Sequence, residues 1–113
     1  MSTPDVIDVT DATFADTLGT TPTVIDFAAD WCAPCRVFAP VFDGFAQRVP
    51  ELRFARCDVD ANPELAARYQ VMSIPTVVVV DDAGRELARR SGAMSTAAFA
   101  GFLTPYVSRP AAS

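Results

Sequence analysis

The chain contains no histidine and no lysine, and all nine of its basic residues are arginine. Without imidazole, histidine general-base catalysis and mixed Cys/His zinc sites are excluded. Without a lysine amine, no side-chain Schiff base can form. The chemistry that remains is that of cysteine, carboxylate and tyrosine. Cysteine itself is scarce: three residues are too few for a disulfide-stapled secreted scaffold, and the number is odd. No apolar run approaches the ~20 residues of a membrane span. Met1-Ser2-Thr3-Pro4-Asp5 lacks a basic stretch followed by an apolar one, so no secretion signal is expected. A formal charge of −5 argues against a nucleic-acid footprint, which needs clustered positive charge. The expectation is a cytoplasmic chain with neither nucleic-acid nor membrane partners.

The 113 residues suit one domain, and the hydrophobic half of them suffices for a core. Asp5 to Val9 reads as a short strand, followed by a helix capped at Thr10-Asp11 that carries the apolar pair Phe14 and Leu18. Thr23 to Ala29 is a nearly continuous apolar run, the pattern of a strand buried on both faces, interrupted by Asp26. From Cys32 to about Val49 a helical period places Val37, Val41, Phe42, Phe45 and Val49 on one stripe, with a kink expected at Pro40. Leu52 to Val59 is another strand. Asn62-Pro63-Glu64 caps and starts a short helix ending at Arg68 or Tyr69.

Thr76 to Val80 is a β-branched buried strand, and Asp81-Asp82-Ala83-Gly84 a solvated turn into a hairpin partner, Arg85 to Arg90. Gly92 ends that strand, and Ser95 caps a last helix carrying Phe99, Phe102 and Leu103. The order βαβαβαββα implies an α/β fold. A central mixed five-stranded sheet is flanked by four helices, with a terminal antiparallel hairpin. Residues 1–107 form the domain, and 108–113 a loose tail.

The chemistry concentrates in Trp31-Cys32-Ala33-Pro34-Cys35-Arg36, at a strand-to-helix junction. Taken alone, the cysteine pair is a redox couple, half of a metal site, or two small packing residues. The absent histidine and the single further thiol, Cys57, weigh against the metal reading. A Cys-x-x-Cys in a βα context is a sign of redox chemistry. Cys57 alternates with Ala55 and Val59 on the strand face opposite Arg56 and reads as a buried apolar residue.

Further pieces complete the pattern: Val24-Ile25-Asp26-Phe27, Pro40, Asp58-Val59-Asp60, Ser73-Ile74-Pro75-Thr76 and Ser91-Gly92-Ala93. At this mutual spacing the chain resembles the thioredoxin family over nearly all of Val6 to Val107. The chain departs from the family's commonest pattern in having Ala33 for glycine, Ala28 for tryptophan and Arg56 for lysine. The resemblance implies the thioredoxin fold and a protein-disulfide reductase cycling between a Cys32/Cys35 dithiol and a disulfide. Cys32 is then the nucleophile, its pKa lowered at the helix start, and Cys35 the resolving thiol. Asp26 is a proton relay raised by burial, Pro34 stiffens the turn, and Ile74-Pro75 is a cis peptide facing the cysteines.

Trp31, Ile74, Gly92 and Ala93 would line a rim for an extended substrate. Arg56, by favouring ionised Asp26, and Ala33 would tune the site. No metal and no bound cofactor are implied. Electrons would come from NADPH through a flavin-dependent thioredoxin reductase, serving disulfide-containing protein substrates, with the chain a monomer. A disulfide oxidase or isomerase on the same fold, and a non-redox binding subunit, are the rival readings.

Overall fold

A computed structural model describes residues 5–107. In chain order the elements are β1 (Val6–Asp8), α1 (Phe14–Thr17), β2 (Thr23–Ala28), α2 (Ala33–Arg48) and β3 (Arg53–Asp58). They continue with α3 (Pro63–Arg68), β4 (Thr76–Val80), β5 (Glu86–Ser91), α4 (Thr96–Leu103) and a 3-10 turn, Thr104–Tyr106. The expected tail, Ser108 to Ser113, lies outside the described residues.

The strands lie in the order β1-β3-β2-β4-β5. β1, β3 and β2 run parallel, and β4 and β5 add antiparallel pairs. This is the mixed five-stranded sheet that the alternation of apolar segments implies. Every residue of β2 and β4 is buried, because helices cover both faces of the sheet centre.

Strand alternation divides the core in two. On one face Val24, Phe54, Val77 and Val79 pack under α2 and α4, which contribute Phe38, Phe42, Phe45, Phe99 and Leu103. Phe99 is the hub, with ring centroids 5.2 Å from Phe38 and 4.9 Å from Phe45. On the other face Ile25, Phe27, Ala55, Cys57, Val78 and Val80 pack against Phe14 of α1 and Leu65 of α3. Asp26 and Ala28 share the first face with Val24, so the one buried carboxylate of β2 lies on the α2 side.

Three local expectations are corrected. Val37, expected on the buried stripe of α2, is 70% exposed, and Phe38 is fully buried in its place. Burying the run Phe38, Phe42 and Phe45 against Phe99 removes more apolar area from water than burying a valine stripe. α2 runs as one helix through Pro40, as expected, with Pro40 on its exposed side.

The second correction is to α1, which does not begin at Thr10-Asp11. Thr10 and Thr13 hold a turn there: the Thr10 amide donates to Thr13 Oγ1 at 3.0 Å and the Thr13 amide to Thr10 Oγ1 at 3.1 Å. Helix formation is deferred to Phe14. The third concerns α3, whose expected cap Asn62 makes no capping bond with its side chain. Asp11 caps that helix from a distance, accepting from the amides of Leu65 at 2.7 Å and Glu64 at 3.3 Å. Asn62 Oδ1 instead accepts from the Asp11 amide at 3.0 Å. Two loops thus share one capping arrangement.

Replacing a side-chain cap acceptor by alanine costs about 1 kcal/mol. Asp11→Ala, although 54 residues from Leu65 in sequence, is expected to lower urea-unfolding stability by that order. An unchanged midpoint would contradict the capping role.

Candidate functional site

β2 ends at Ala28 and α2 begins at Ala33, so the connecting turn carries Trp31 and Cys32 to the start of the helix. Cys32 has extended backbone (φ −87°, ψ 109°) and occupies the N-cap position. Its sulfur accepts from the Cys35 amide at 3.2 Å, where a serine or aspartate oxygen commonly caps a helix. Ala33 and Pro34 fill the first two helical positions, where a proline gives up no hydrogen bond. Cys35, one turn along, is joined to Cys32 as a disulfide with Cα atoms 5.2 Å apart, inside the usual range. An acceptor sulfur among unpaired amides at the positive end of a helix dipole favours the thiolate once the bond is reduced.

An attacking thiol is expected to be the more exposed of such a pair. In this disulfide form both cysteines are equally covered, each 4% exposed. The cover comes from Ala28 and Ile74, which pack against the pair. Cys32 Sγ lies 3.7 Å from the Ile74 carbonyl oxygen.

The Ile74-Pro75 peptide is cis. Its loop is closed by Thr76, whose hydroxyl donates to the Ser73 carbonyl at 2.7 Å. The loop is also tied to the end of β5, where the Gly92 amide donates to the Pro75 carbonyl at 2.8 Å. Gly92 has φ +94°, a left-handed backbone strained for any other residue, although open space surrounds its missing side chain. Ile74, Gly92 and exposed Ala93 are therefore brought together next to the disulfide. Trp31, in the turn that leads to Cys32, is 67% exposed. Its indole Nε1 donates to Asp60 Oδ2 at 2.7 Å, a partner that sequence reasoning did not assign to it.

Asp26 is fully buried and pairs across the sheet with Arg56 and Val77. Burial pushes its carboxyl up to about 6, against the opposing pull of the Arg56 guanidinium. Arg56 Nε donates to Asp26 Oδ2 at 3.3 Å, so β3 does place this cation over the Asp26 face. The terminal Nη2 goes elsewhere, donating to Asp43 Oδ1 on α2 at 2.8 Å. Sequence reasoning missed Asp43. Two i, i+4 steps from Cys35 through Ala39 lead to it, and that helical spacing was the available signal.

A cleft of about 650 Å³ opens beside these groups, with Cys35, Ala39, Asp43, Arg56 and Asp58 in its lining. Among the described residues no group of three or more His, Cys, Asp or Glu could hold a metal ion. Cys57 is fully buried on the opposite face of the sheet. Burial, with Asp11 and Asp58 adding to it, pushes its thiol up to about 12. No helix among the described residues is long and apolar enough to cross a membrane.

Comparison with known proteins places this geometry in a family. Residues 5–105 match the family model described as Thioredoxin. A thioredoxin of Mycobacterium bovis is 46% identical over 95 residues, 81% of each chain. A thioredoxin of Chlamydia trachomatis is 37% identical over 84 residues, 74% of this chain and 81% of the relative. A bifunctional thioredoxin reductase/thioredoxin of Mycobacterium leprae is 44% identical over 95 residues, 81% of this chain but 20% of that longer protein. With a cysteine pair at the head of α2 and a matching sequence around it, the chain belongs to the thioredoxin family and is a thiol–disulfide oxidoreductase.

Proposed function

We propose that residues 1–107 act as a cytoplasmic protein-disulfide reductase in which Cys32 attacks and Cys35 resolves. The observation that carries this reading is the N-cap position of Cys32, whose sulfur faces the Cys35 amide at 3.2 Å. In the reduced protein the Cys32 thiolate attacks one sulfur of a substrate disulfide. A bond forms between Cys32 and substrate as the substrate's own S–S bond breaks and one thiolate leaves. The Asp26 carboxylate takes the proton from the Cys35 thiol, and the Cys35 thiolate attacks Cys32 Sγ. The mixed disulfide breaks, the Cys32–Cys35 bond forms, and the second substrate thiolate departs. Substrate gains the two electrons that the sulfurs of this chain lose; the Cys35 proton passes to Asp26, and the departing substrate thiolates are protonated from Asp26 and water.

Asp26 suits the relay because its carboxyl titrates close to neutrality, at about 6. Pro34 keeps the turn between the thiols fixed. Trp31, Ile74, Gly92 and Ala93 form the rim against which an extended substrate segment adds as a strand beside Pro75. Arg56 and Ala33 tune the couple, Arg56 by favouring the ionised form of Asp26. The chain acts as a monomer and is recharged by a flavin-dependent thioredoxin reductase drawing on NADPH. The fusion of reductase and thioredoxin named in the Mycobacterium leprae relative supports such a partner. A reducing compartment fits, because the dithiol must be kept charged.

Cys35→Ser is expected to accumulate a mixed disulfide between Cys32 and substrate, visible by mass spectrometry, and to lose multiple turnover. Cys32→Ser should form no adduct. Adduct formation in the second variant but not the first would reverse the two roles.

The buried carboxylate also has a cost. With a folded pKa of about 6 against an ordinary 3.8, the native state binds more protons than the unfolded chain between those values. Stability from this group is therefore present below pH 3.8 and lost as pH rises through about 6. At pH 7 the loss is on the order of 2–3 kcal/mol. Asp26→Asn is expected to exceed the parent in stability at pH 7, with the difference shrinking toward pH 4, as measured by urea unfolding across pH. A difference independent of pH would contradict the assignment.

A further inference from the structure

One cation serves two carboxylates at the edge of the cleft. Arg56 rises from β3 with its guanidinium carbon 5.3 Å from the centre of the Phe42 ring, a contact that restricts where its nitrogens lie. Its inner nitrogen, Nε, reaches Asp26 at 3.3 Å. Its outer nitrogen, Nη2, reaches Asp43 at 2.8 Å. The shorter contact is thus to the carboxylate that the relay does not use. The Asp43 side chain is 20% exposed and that of Arg56 19%, whereas Asp26 is fully buried. Asp26 Oδ1 accepts no hydrogen bond from any described residue.

Had Arg56 closed on Asp26 alone, the pair would be a neutral buried ion pair. A carboxylate so held has little tendency to take up a proton. With Asp43 included, the three side chains carry a net charge of −1 when both acids are ionised, and a proton on Asp26 makes the cluster neutral. Asp43 lies nearer to solvent than Asp26. The cluster therefore has room for one proton, and burial directs it to Asp26.

We propose that Asp43 is a positioning residue for the proton relay: by holding the outer end of Arg56 it leaves Asp26 free to exchange a proton with Cys35. The proposal rests on the reading of Asp26 as the relay. Asp43 touches neither substrate nor sulfur and acts through Arg56. The other charged and titratable groups around the cleft are Asp8 of β1, Asp30 after β2, Cys35 and Arg36 of α2, and Asp58 of β3. β4 faces Asp26 with Val77 and brings no charge. Of these groups Arg36 is engaged with the Asp30 carbonyl at 2.7 Å. Arg56 is thus the cation whose sharing sets the balance.

The test is the titration of the Asp26 carboxyl, followed by NMR in the oxidised protein, in the parent and in Asp43→Asn, with and without Arg56→Ala. The amide of Asp43→Asn keeps the shape of the side chain and removes the charge that holds Nη2. The Asp26 midpoint is expected to fall by about one pH unit in Asp43→Asn. Most of that shift should vanish when Arg56 is also removed. A midpoint that stays or rises, or an equal fall in the Arg56→Ala background, overturns the proposal. Asp43→Glu, which retains the charge, should titrate like the parent, and a fall there also counts against it.

The pH dependence of the resolving step separates this proposal from the relay reading beneath it. If the acid limb of that rate moves down together with the midpoint in Asp43→Asn, both stand. If the midpoint moves while the limb stays, the relay assignment fails and the clamp on Arg56 remains supported.

Discussion

A carboxylate buried in the middle of an apolar sheet constrains most of what surrounds it. Asp26 lies on β2, between β3 and β4, with α2 across its face. An acid there is tolerated in one of two ways: neutralised by a proton or paired with a cation. The chain uses a mixture. Burial raises the carboxyl, and Arg56, whose outer nitrogen is bonded to Asp43, offsets only part of that rise. Stability is given up at neutral pH to keep in the apolar sheet a carboxyl that titrates at about 6.

The helix above depends on the same economy of contacts. Cys32 caps α2 with sulfur in place of oxygen, so one atom both ends the helix and presents the reactive group. Ala28 and Ile74 close over the disulfide from the strand and from the loop of Pro75. In the oxidised form the pair is therefore sheltered, 4% exposed at each cysteine. The Trp31 indole is tied to Asp60, and the loop of Ile74 and Pro75 is tied to Gly92.

Much of this was legible in the residues. The apolar strands, the Ser95 cap and the burial of Cys57 follow from period-two and period-3.6 patterns with ordinary capping rules, whereas the placement of Arg56 over Asp26 was implied by the family resemblance. What escaped has a common physical cause: the partner lay far away in sequence. Asp11 sits in front of its own short helix, yet its carboxylate caps α3, and no local rule predicts a cap supplied from another loop. Asp43 reads as a solvent-facing helix acid until β3 is laid under α2. Val37 and Phe38 compete for the same stripe, and only the position of Phe99 decides which is buried. The cover over Cys32 likewise comes from Ile74, 42 residues away.

The central claim is that Cys32 and Cys35 form a reducing couple. The most direct test equilibrates the protein with defined mixtures of reduced and oxidised glutathione and measures the disulfide fraction by thiol alkylation. The account predicts a potential more negative than that of the glutathione pool, so that the disulfide persists until the mixture is strongly reducing. A couple already reduced in mixtures as oxidising as a secretory compartment would contradict it, and would make the chain an oxidase or isomerase on the same fold.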